Sequence, residues 1–376
     1  MEHKIDRLSE LPEPLVEHIL SFIPLKQILQ LTMLSKTWQN VWTLFPILKF
    51  DQERGQRKRE EFIYFVERTL LSRRRQKISI KRLELQILDI DDECYGVRVN
   101  RWIDYAIESN VKEFYICAWP LKYYKVTKSV LTAKSITELT LWGCNLESFH
   151  GHDINLSSLK KLVLGEVCNA NDQIVKTLIA ACLVVEEIEF ARCDGLRNIH
   201  VSGLSKLMAI EVAFNFELHS LEIEASNLEF LHLKCLKSCQ IYLLSCKNLK
   251  KLRLEYMMVT DKWLHDVLSK QPLIEILTLI DCDMLERIKI SSDCMKRLTF
   301  YRCRKLVEVN IVTPNLHRLE YCGDPISFSS NTSTLLEVKL RFWSDHWIYG
   351  VEKIEFLSKL NHLKLVTWRA HRAKVF

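Results

Sequence analysis

Residues 207–233 read LMAIEVAFNFELHSLEIEASNLEFLHL, and one spacing of apolar residues occurs three times in this stretch. An apolar residue is followed by two others, three and five positions later, as in Leu207, Ile210 and Val212. Side chains two positions apart lie on the same face of a β-strand. Each set therefore predicts a short strand with one buried face.

The same spacing recurs along most of the chain. Its units begin at Ile80, Val111, Ile136, Leu159, Val185, Leu207, Leu228, Leu249, Ile274, Met295, Leu316, Leu335 and Leu360. Apart from the first gap, the units start 19 to 26 residues apart. This period and pattern are typical of a leucine-rich repeat solenoid, in which every repeat contributes one strand to a curved sheet.

The part of each repeat that follows the strand varies. In four repeats a cysteine stands three positions after the last apolar residue, where this pattern takes Asn or Cys to turn the chain: Cys144, Cys193, Cys282 and Cys303. Four repeats contain a second copy of the spacing, which predicts short outer strands after Leu196, Leu218, Leu285 and Leu306. Two repeats instead predict helices over 172–182 and 261–269, each beginning with an Asp suited to an N-cap.

The N-terminal stretch 8–46 has a different pattern, LSELPEPLVEHILSFIPLKQILQLTMLSKTWQNVWTLFP. Pro12 and Pro14 suit the first turn of a helix, and apolar residues then follow at helical spacing. The stretch has more apolar side chains than so short a module buries against itself. They either pack on the rest of the chain or form a docking surface for a partner.

The positions Leu11-Pro12, Leu15, Ile19-Leu20-Ser21, Ile23-Pro24, Leu34-Ser35-Lys36, Trp38, Val41-Trp42 and Pro46 resemble the F-box of plant F-box proteins. The resemblance implies a three-helix module that binds a Skp-family adaptor and, through it, a cullin. It assigns the adaptor contacts to Leu11, Pro12, Leu15, Ile19, Leu20, Pro24, Leu34, Trp38 and Trp42.

With the repeats, the resemblance to plant F-box/leucine-rich repeat proteins extends over nearly the whole chain, and the stretch from Phe356 is similar to the start of their FBD-type region. The expected fold is α+β: an F-box over 1–50, a basic linker helix over 51–79 and a leucine-rich repeat α/β solenoid over 80–376. Plant hormone receptors of this kind bind a small molecule and an inositol phosphate, but their longer repeat array is not matched here. We therefore expect no cofactor.

The segment Lys49 to Arg82 carries 12 Lys and Arg against 5 Asp and Glu, whereas the formal net charge of the whole chain is +6. Phe62, Val66 and Leu70 predict an amphipathic helix within it. A basic patch over 54–82 admits, as an alternative, a nuclear nucleic-acid-associated protein or an interaction protein outside a ligase. Glu60, Glu61 and Glu67 dilute that charge, so a solvated linker helix is the favoured interpretation.

Composition and motifs argue against an enzyme. The chain has 9 glycines and none of the glycine-rich loops that bind phosphates. The 13 cysteines show no metal-binding spacing, and no nucleophile and base pair is evident, so we predict neither a metal site nor catalytic residues. No secretory signal or membrane-spanning stretch is recognised, which predicts residence in the cytoplasm, the nucleus or both.

The polar positions of the strands should face solvent, and they combine charged and aromatic residues. We predict a protein substrate there, bound by Trp142, Glu189, Glu211, Phe230, Lys234, Arg253, Arg297, Tyr301 and Arg341. The alternative is a solvated sheet face with incidental charges. The favoured function is the substrate-recognition subunit of an SCF-type (Skp–cullin–F-box) E3 ubiquitin ligase.

Overall fold

The computed structural model describes residues 11–12, 15, 18–20, 22–23, 25, 27–28, 45–88, 90, 93–119, 123–146, 154–236, 239–324, 326–330, 334–342 and 365–370. The chain forms two compact units, Met1–Ala170 and Asn171–Phe376.

The helices of the described residues from 45 onward are α1 (Gln56–Gln76), α2 (Glu93–Glu108), α3 (Lys128–Leu131), α4 (Asp172–Ala181) and α5 (Asp261–Lys270). The strands of the first unit are β1 (Ile47–Asp51), β2 (Arg82–Leu88), β3 (Glu113–Trp119), β4 (Tyr124–Lys125), β5 (Glu138–Trp142), β6 (Cys144–Asn145) and β7 (Lys161–Gly165). The strands of the second unit are β8 (Glu187–Ala191), β9 (Asn198–Val201), β10 (Ala209–Ala213), β11 (Ser220–Glu224), β12 (Phe230–Lys234), β13 (Gln240–Leu244), β14 (Lys251–Glu255), β15 (Ile276–Ile280), β16 (Arg287–Ser291), β17 (Arg297–Tyr301), β18 (Glu308–Val312), β19 (Arg318–Gly323), β20 (Ser327–Ser330), β21 (Glu337–Phe342) and β22 (Leu365–Ala370).

In the first unit, parallel strands lie in the order β1-β2-β3-β5-β7. Helix α1 connects β1 to β2, so segment 51–79 is a crossover inside the sheet, which begins at Ile47, ahead of the expected solenoid start at residue 80. Phe45, Leu48 and Phe50 are buried and form one more unit of the apolar spacing. Sequence analysis missed it because these residues fall within the expected F-box.

In the second unit, parallel strands lie in the order β8-β10-β12-β14-β15-β17-β19-β21-β22. They follow the predicted units except at β22, where Val366 and Trp368 lie beside Val338 and Leu340, three residues later than the unit from Leu360 predicts. The apolar positions are in register from strand to strand; Leu231 lies beside Leu252, which lies beside Leu277. All three side chains are buried. Complete burial of one such side chain contributes about 1.5–3 kcal/mol, so the in-register rows form the core of this unit.

Short outer strands form two further parallel sheets, β9-β11-β13 and β16-β18-β20. The four outer strands expected from the second apolar spacing are confirmed as β9, β11, β16 and β18. Strands β13 and β20 were not predicted. In both, the adjoining sequence lacks the complete apolar spacing.

Both predicted helical inserts are confirmed as α4 and α5, but their N-caps are Asn171 and Thr260, one residue before the predicted Asp172 and Asp261. In each helix the observed N-cap and the Asp after it are both residue types that favour the N-cap position, so the sequence pattern did not show which of the two caps the helix. The carboxylate of Asp172 accepts a hydrogen bond of 2.9 Å from the backbone N–H of Asn198. Each aspartate thus ties its helix to the outer strand that follows.

The predicted structural role of the turn cysteines is confirmed, since Cys144, Cys193, Cys282 and Cys303 are all buried. In one repeat, Asn215 takes this position and is 1% exposed. Its Oδ1 accepts from the backbone N–H of Cys193 at 2.8 Å, and its Nδ2 donates to the carbonyls of Phe190 at 2.9 Å and Ala213 at 3.1 Å. Asn215 therefore joins two adjacent repeats.

Candidate functional site

An apolar stripe runs along the N-terminal module, made of Leu15, Ile19 and Phe22. Leu15 and Ile19, four positions apart, share one side of a helix, and Phe22 lies in the turn that follows. These side chains are 51%, 38% and 75% exposed. Leu11 beside them is half-buried and Pro12 is exposed. We call Leu15, Ile19 and Phe22 the N-terminal stripe. Sequence analysis missed Phe22, although its spacing from Leu15 and Ile19 was the available signal.

Leu20, which was predicted to contact the adaptor, is 1% exposed and packs inside the chain. It lines a cleft of about 880 Å³ together with Ile28, Phe45 and Phe62. Adjacent residues of a helix point in different directions, so Leu20 faces the core while Ile19 faces solvent. The predicted contacts Pro24, Leu34, Trp38 and Trp42 lie outside the described residues.

Arg73 fixes the junction between the N-terminal module and the sheet. Its side chain is buried, and Nη2 donates to the carbonyl of Phe45 at 2.6 Å. Burial lowers the pKa of its guanidinium to about 10. The carbonyl of Pro46 accepts from the backbone N–H groups of Lys81 and Arg82 at 2.9 and 3.2 Å, so the start of β2 also holds this junction.

The predicted contact Trp142 lies half-buried on β5 of the first unit, across from Gly165 of β7. A Cβ atom on Gly165 would lie 2.0 Å from Cε3 of the indole. The absence of a side chain at Gly165 is thus what lets the ring lie against the neighbouring strand.

The other predicted substrate contacts lie on the main sheet of the second unit. We call the solvent-facing side of strands β8, β10, β12, β14, β15, β17, β19 and β21 the sheet face. Its residues form rows across the strands, as follows from the register: Glu189, Glu211, His232 and Arg253 in one row, and Phe230, Lys251, Ile276, Arg297 and Arg318 in the next. Tyr301 and Arg341 belong to a third row, on β17 and β21. The structure therefore places Phe230 and Lys234 on β12 beside Arg253 on β14.

Glu255 is the centre of an ion-pair cluster on the sheet face and is itself buried, contrary to the expectation that its side chain faces solvent. It accepts from Lys234 Nζ at 2.9 Å and from Arg253 Nε at 2.5 Å, and His232 Nε2 lies 3.5 Å away. Burial alone would raise the pKa of this carboxyl, but hydrogen bonds from Lys234 and Arg253 lower it below its ordinary value. The carboxylate therefore stays charged and holds both cations in place.

The sheet face changes from acidic to basic along the repeats. Strands β8 and β10 present the three carboxylates Glu187, Glu189 and Glu211. Strands β14 to β21 present six cations, Lys251, Arg253, Arg297, Arg318, Lys339 and Arg341, against three carboxylates, Glu255, Glu320 and Glu337. All three carboxylates are in ion pairs, so the basic part retains unneutralised positive charge.

A row of residues with left-handed backbone conformation follows the strands at the edge of the sheet face. None of them is glycine; they are Arg192, Phe214, Cys235, Tyr256, Asp281 and Arg302. Each donates its N–H to the next strand, as Phe214 does to the carbonyl of Lys234 at 2.8 Å. Arg192 and Lys234 both place a cation 5.2 Å from the Phe214 ring centre. Sequence analysis missed this row, because left-handed backbone is usually signalled by glycine.

Part of the positive charge of the basic segment is paired with carboxylates. Arg57 pairs with Glu61 and Lys58 with Glu53, at 3.3 and 3.1 Å. Arg82 reaches Glu113 at 3.3 Å, and Arg73 is buried. These contacts weaken the alternative of a nucleic-acid-binding patch, which needs cations free to meet phosphates.

In the described part of the chain, no three His, Cys, Asp or Glu side chains lie together in a way that suits a metal ion. The turn thiols are buried. Cys182, at the C-terminal end of α4, is buried as well, and burial raises the pKa of its thiol to about 12, so that group is a poor nucleophile. Among the described helices, none has both the length and the apolar content needed to span a membrane.

Comparison with known families decides the identity. The F-box domain matches residues 8–50, and the At1g61320/AtMIF1 LRR domain matches residues 71–246 and 230–372. The chain is an F-box/leucine-rich repeat protein. The expected fold, an N-terminal F-box followed by a leucine-rich repeat solenoid, is thereby confirmed.

Three proteins of Arabidopsis thaliana are among the curated relatives of this F-box/leucine-rich repeat protein. F-box/LRR-repeat protein At3g26922 is 29% identical over 63% of this chain and 78% of its own length. F-box/FBD/LRR-repeat protein At4g26340 is 25% identical over 96% of this chain and 77% of its own length. FBD-associated F-box protein At5g22730 is 28% identical over 56% of this chain but only 45% of its own length, so the chain spans less than half of that relative.

Among solved structures, the leucine-rich repeat domain of the type III effector XCV3220 (XopL) matches with a TM-score of 0.39 and 17% identity, over 62% of this chain and 76% of that one.

Proposed function

We infer that this protein is the substrate-recognition subunit of an SCF-type E3 ubiquitin ligase and has no catalytic site of its own. F-box domains generally bind Skp-family adaptors, and proteins that combine an F-box with leucine-rich repeats generally act as non-catalytic adaptors. In this proposal the N-terminal stripe contacts the adaptor, the adaptor joins a cullin, and the sheet face binds a protein substrate. The protein acts in the cytoplasm, the nucleus or both.

The observation that carries the proposal is the exposure of Leu15, Ile19 and Phe22 within the matched F-box. Leaving three large apolar side chains in water is unfavourable, and complete burial of one such side chain contributes about 1.5–3 kcal/mol. A factor of ten in affinity corresponds to about 1.4 kcal/mol. Because these side chains are between 38% and 75% exposed, the burial left for a partner supplies about one order of magnitude of adaptor affinity from each.

The test is co-expression of the full chain with a Skp-family adaptor and measurement of the adaptor that co-purifies. Ile19→Asp combined with Phe22→Asp should abolish co-purification. Leu183→Asp is the matched control, because the exposure of Leu183, 62%, lies between those of Ile19 and Phe22, and Leu183 belongs to the second unit; it should leave co-purification intact. Unchanged adaptor recovery by the double variant would contradict the proposal.

A further inference from the structure

Two cations on the sheet face flank one aliphatic side chain. Lys251, Ile276 and Arg297 stand directly beside one another on β14, β15 and β17. Lys251 and Arg297 are exposed and Ile276 is half-buried. The row thus alternates between positive charge and apolar surface, and Phe230 continues the alternation on the other side of Lys251.

Within the described residues, neither Lys251 nor Arg297 forms an ion pair, although carboxylates lie close in sequence. Glu229 and Glu275, which precede β12 and β15, are held by Lys250 at 2.7 Å and Lys296 at 2.9 Å. Glu255 is occupied by Lys234 and Arg253. The carboxylates around this row are therefore engaged elsewhere, and its two cations remain available to a ligand.

The spacing of the row fits an extended polypeptide. Adjacent strands are about 4.8 Å apart, so the Cα atoms of Lys251 and Arg297 are separated by about 10 Å. Residues i, i+2 and i+4 of an extended chain share one face and span about 13 Å. The long, flexible side chains of Lys and Arg have the reach to cover the difference, which places residue i+2 over Ile276.

We propose that this row binds an extended segment of the substrate in which two acidic residues at i and i+4 meet Lys251 and Arg297, and an apolar residue at i+2 packs on Ile276. The inference rests on the proposed function, because it assumes that the sheet face receives the substrate, and it adds the chemical class of the segment. Glu or Asp supplies the charge, and Leu or another large apolar residue supplies the contact area. Strands β8 and β10 present carboxylates, which repel an acidic segment. The basic part of the sheet face is therefore the region that suits it.

The test uses the full chain and two fluorescein-labelled peptides, GSGESLSEGSG and GSGKSLSKGSG, with binding followed by fluorescence anisotropy. Wild type should bind the acidic peptide at least tenfold more tightly than the basic one. Lys251→Glu combined with Arg297→Glu should reverse that preference, a gain that an unfolded variant cannot show. Arg287→Glu combined with Lys289→Glu makes the same charge change on outer strand β16 and should keep the wild-type preference.

Equal binding of both peptides, or no binding of either, would overturn the proposal, as would a preference that survives the reversal at Lys251 and Arg297. Adaptor co-purification, measured on the same preparations, depends on the N-terminal stripe and should be unaffected by all these changes. Failure of peptide recognition is thereby distinguished from failure of the proposed function.

Discussion

Replacement of Asn215 by alanine should destabilise the second unit more than any surface change. The substitution removes three hydrogen bonds and leaves the backbone N–H of Cys193 without its acceptor at 2.8 Å. A neutral hydrogen bond contributes about 0.5–1.5 kcal/mol, and a buried group left unsatisfied costs about 1–3 kcal/mol. The carbonyls of Phe190 and Ala213 lose one donor each, which costs less than the N–H left without an acceptor. We therefore expect the free energy of unfolding to fall by about 3–4 kcal/mol.

The assay is urea unfolding of the full chain followed by circular dichroism, with Asn227→Ala as the matched control. Asn227 is exposed, and its Nδ2 donates to the carbonyl of Ser205 at 2.6 Å. Water replaces that donor, so the control should lose about 1 kcal/mol or less. Equal losses for the two variants, or a loss below about 1 kcal/mol for Asn215→Ala, would refute the role assigned to the buried amide.

Three further predictions follow from the described contacts. Gly165→Ala should displace the Trp142 indole, change tryptophan fluorescence and cost about 1–3 kcal/mol by overpacking, whereas Gly96→Ala, where an added Cβ has room, should do neither. Glu255 has a lowered pKa, so its contribution to stability is complete above its ordinary pKa of 4.5 and is lost as pH falls through the folded-state value; Glu255→Gln should reduce the loss of stability seen on acidification below pH 4.5. Arg73→Met keeps much of the buried volume but removes a charge-assisted hydrogen bond, and thermal unfolding should show a loss of about 1.5–3 kcal/mol; an unchanged midpoint would contradict its role as an anchor.

The repeats could be predicted because their core is periodic. A residue such as Leu252 is buried by neighbours that carry the same residue type at the same position, so the sequence pattern and the packing coincide. The first strand was missed for a related reason: Phe45, Leu48 and Phe50 follow the repeat spacing but fall inside another recognised motif.

Features that depend on contacts between repeats were not accessible from sequence. The ion-pair cluster of Glu255 includes Lys234 of the neighbouring strand as well as Arg253 of its own strand, and no local pattern specifies the contact between strands. The left-handed turns at residues such as Phe214 lack the expected glycine, since the N–H bond to the next strand supports that conformation. The division of the F-box residues into core and surface, with Leu20 inside and Phe22 outside, required the helix direction as well as its period.

Amide hydrogen exchange of the full chain, with and without a Skp-family adaptor, tests the central claim most directly. Binding through the N-terminal stripe predicts new protection in peptides covering residues 11–28 and unchanged exchange on strands β8 to β21 of the sheet face. Protection on the sheet face with none over 11–28, or no protection at all at saturating adaptor, would contradict the account.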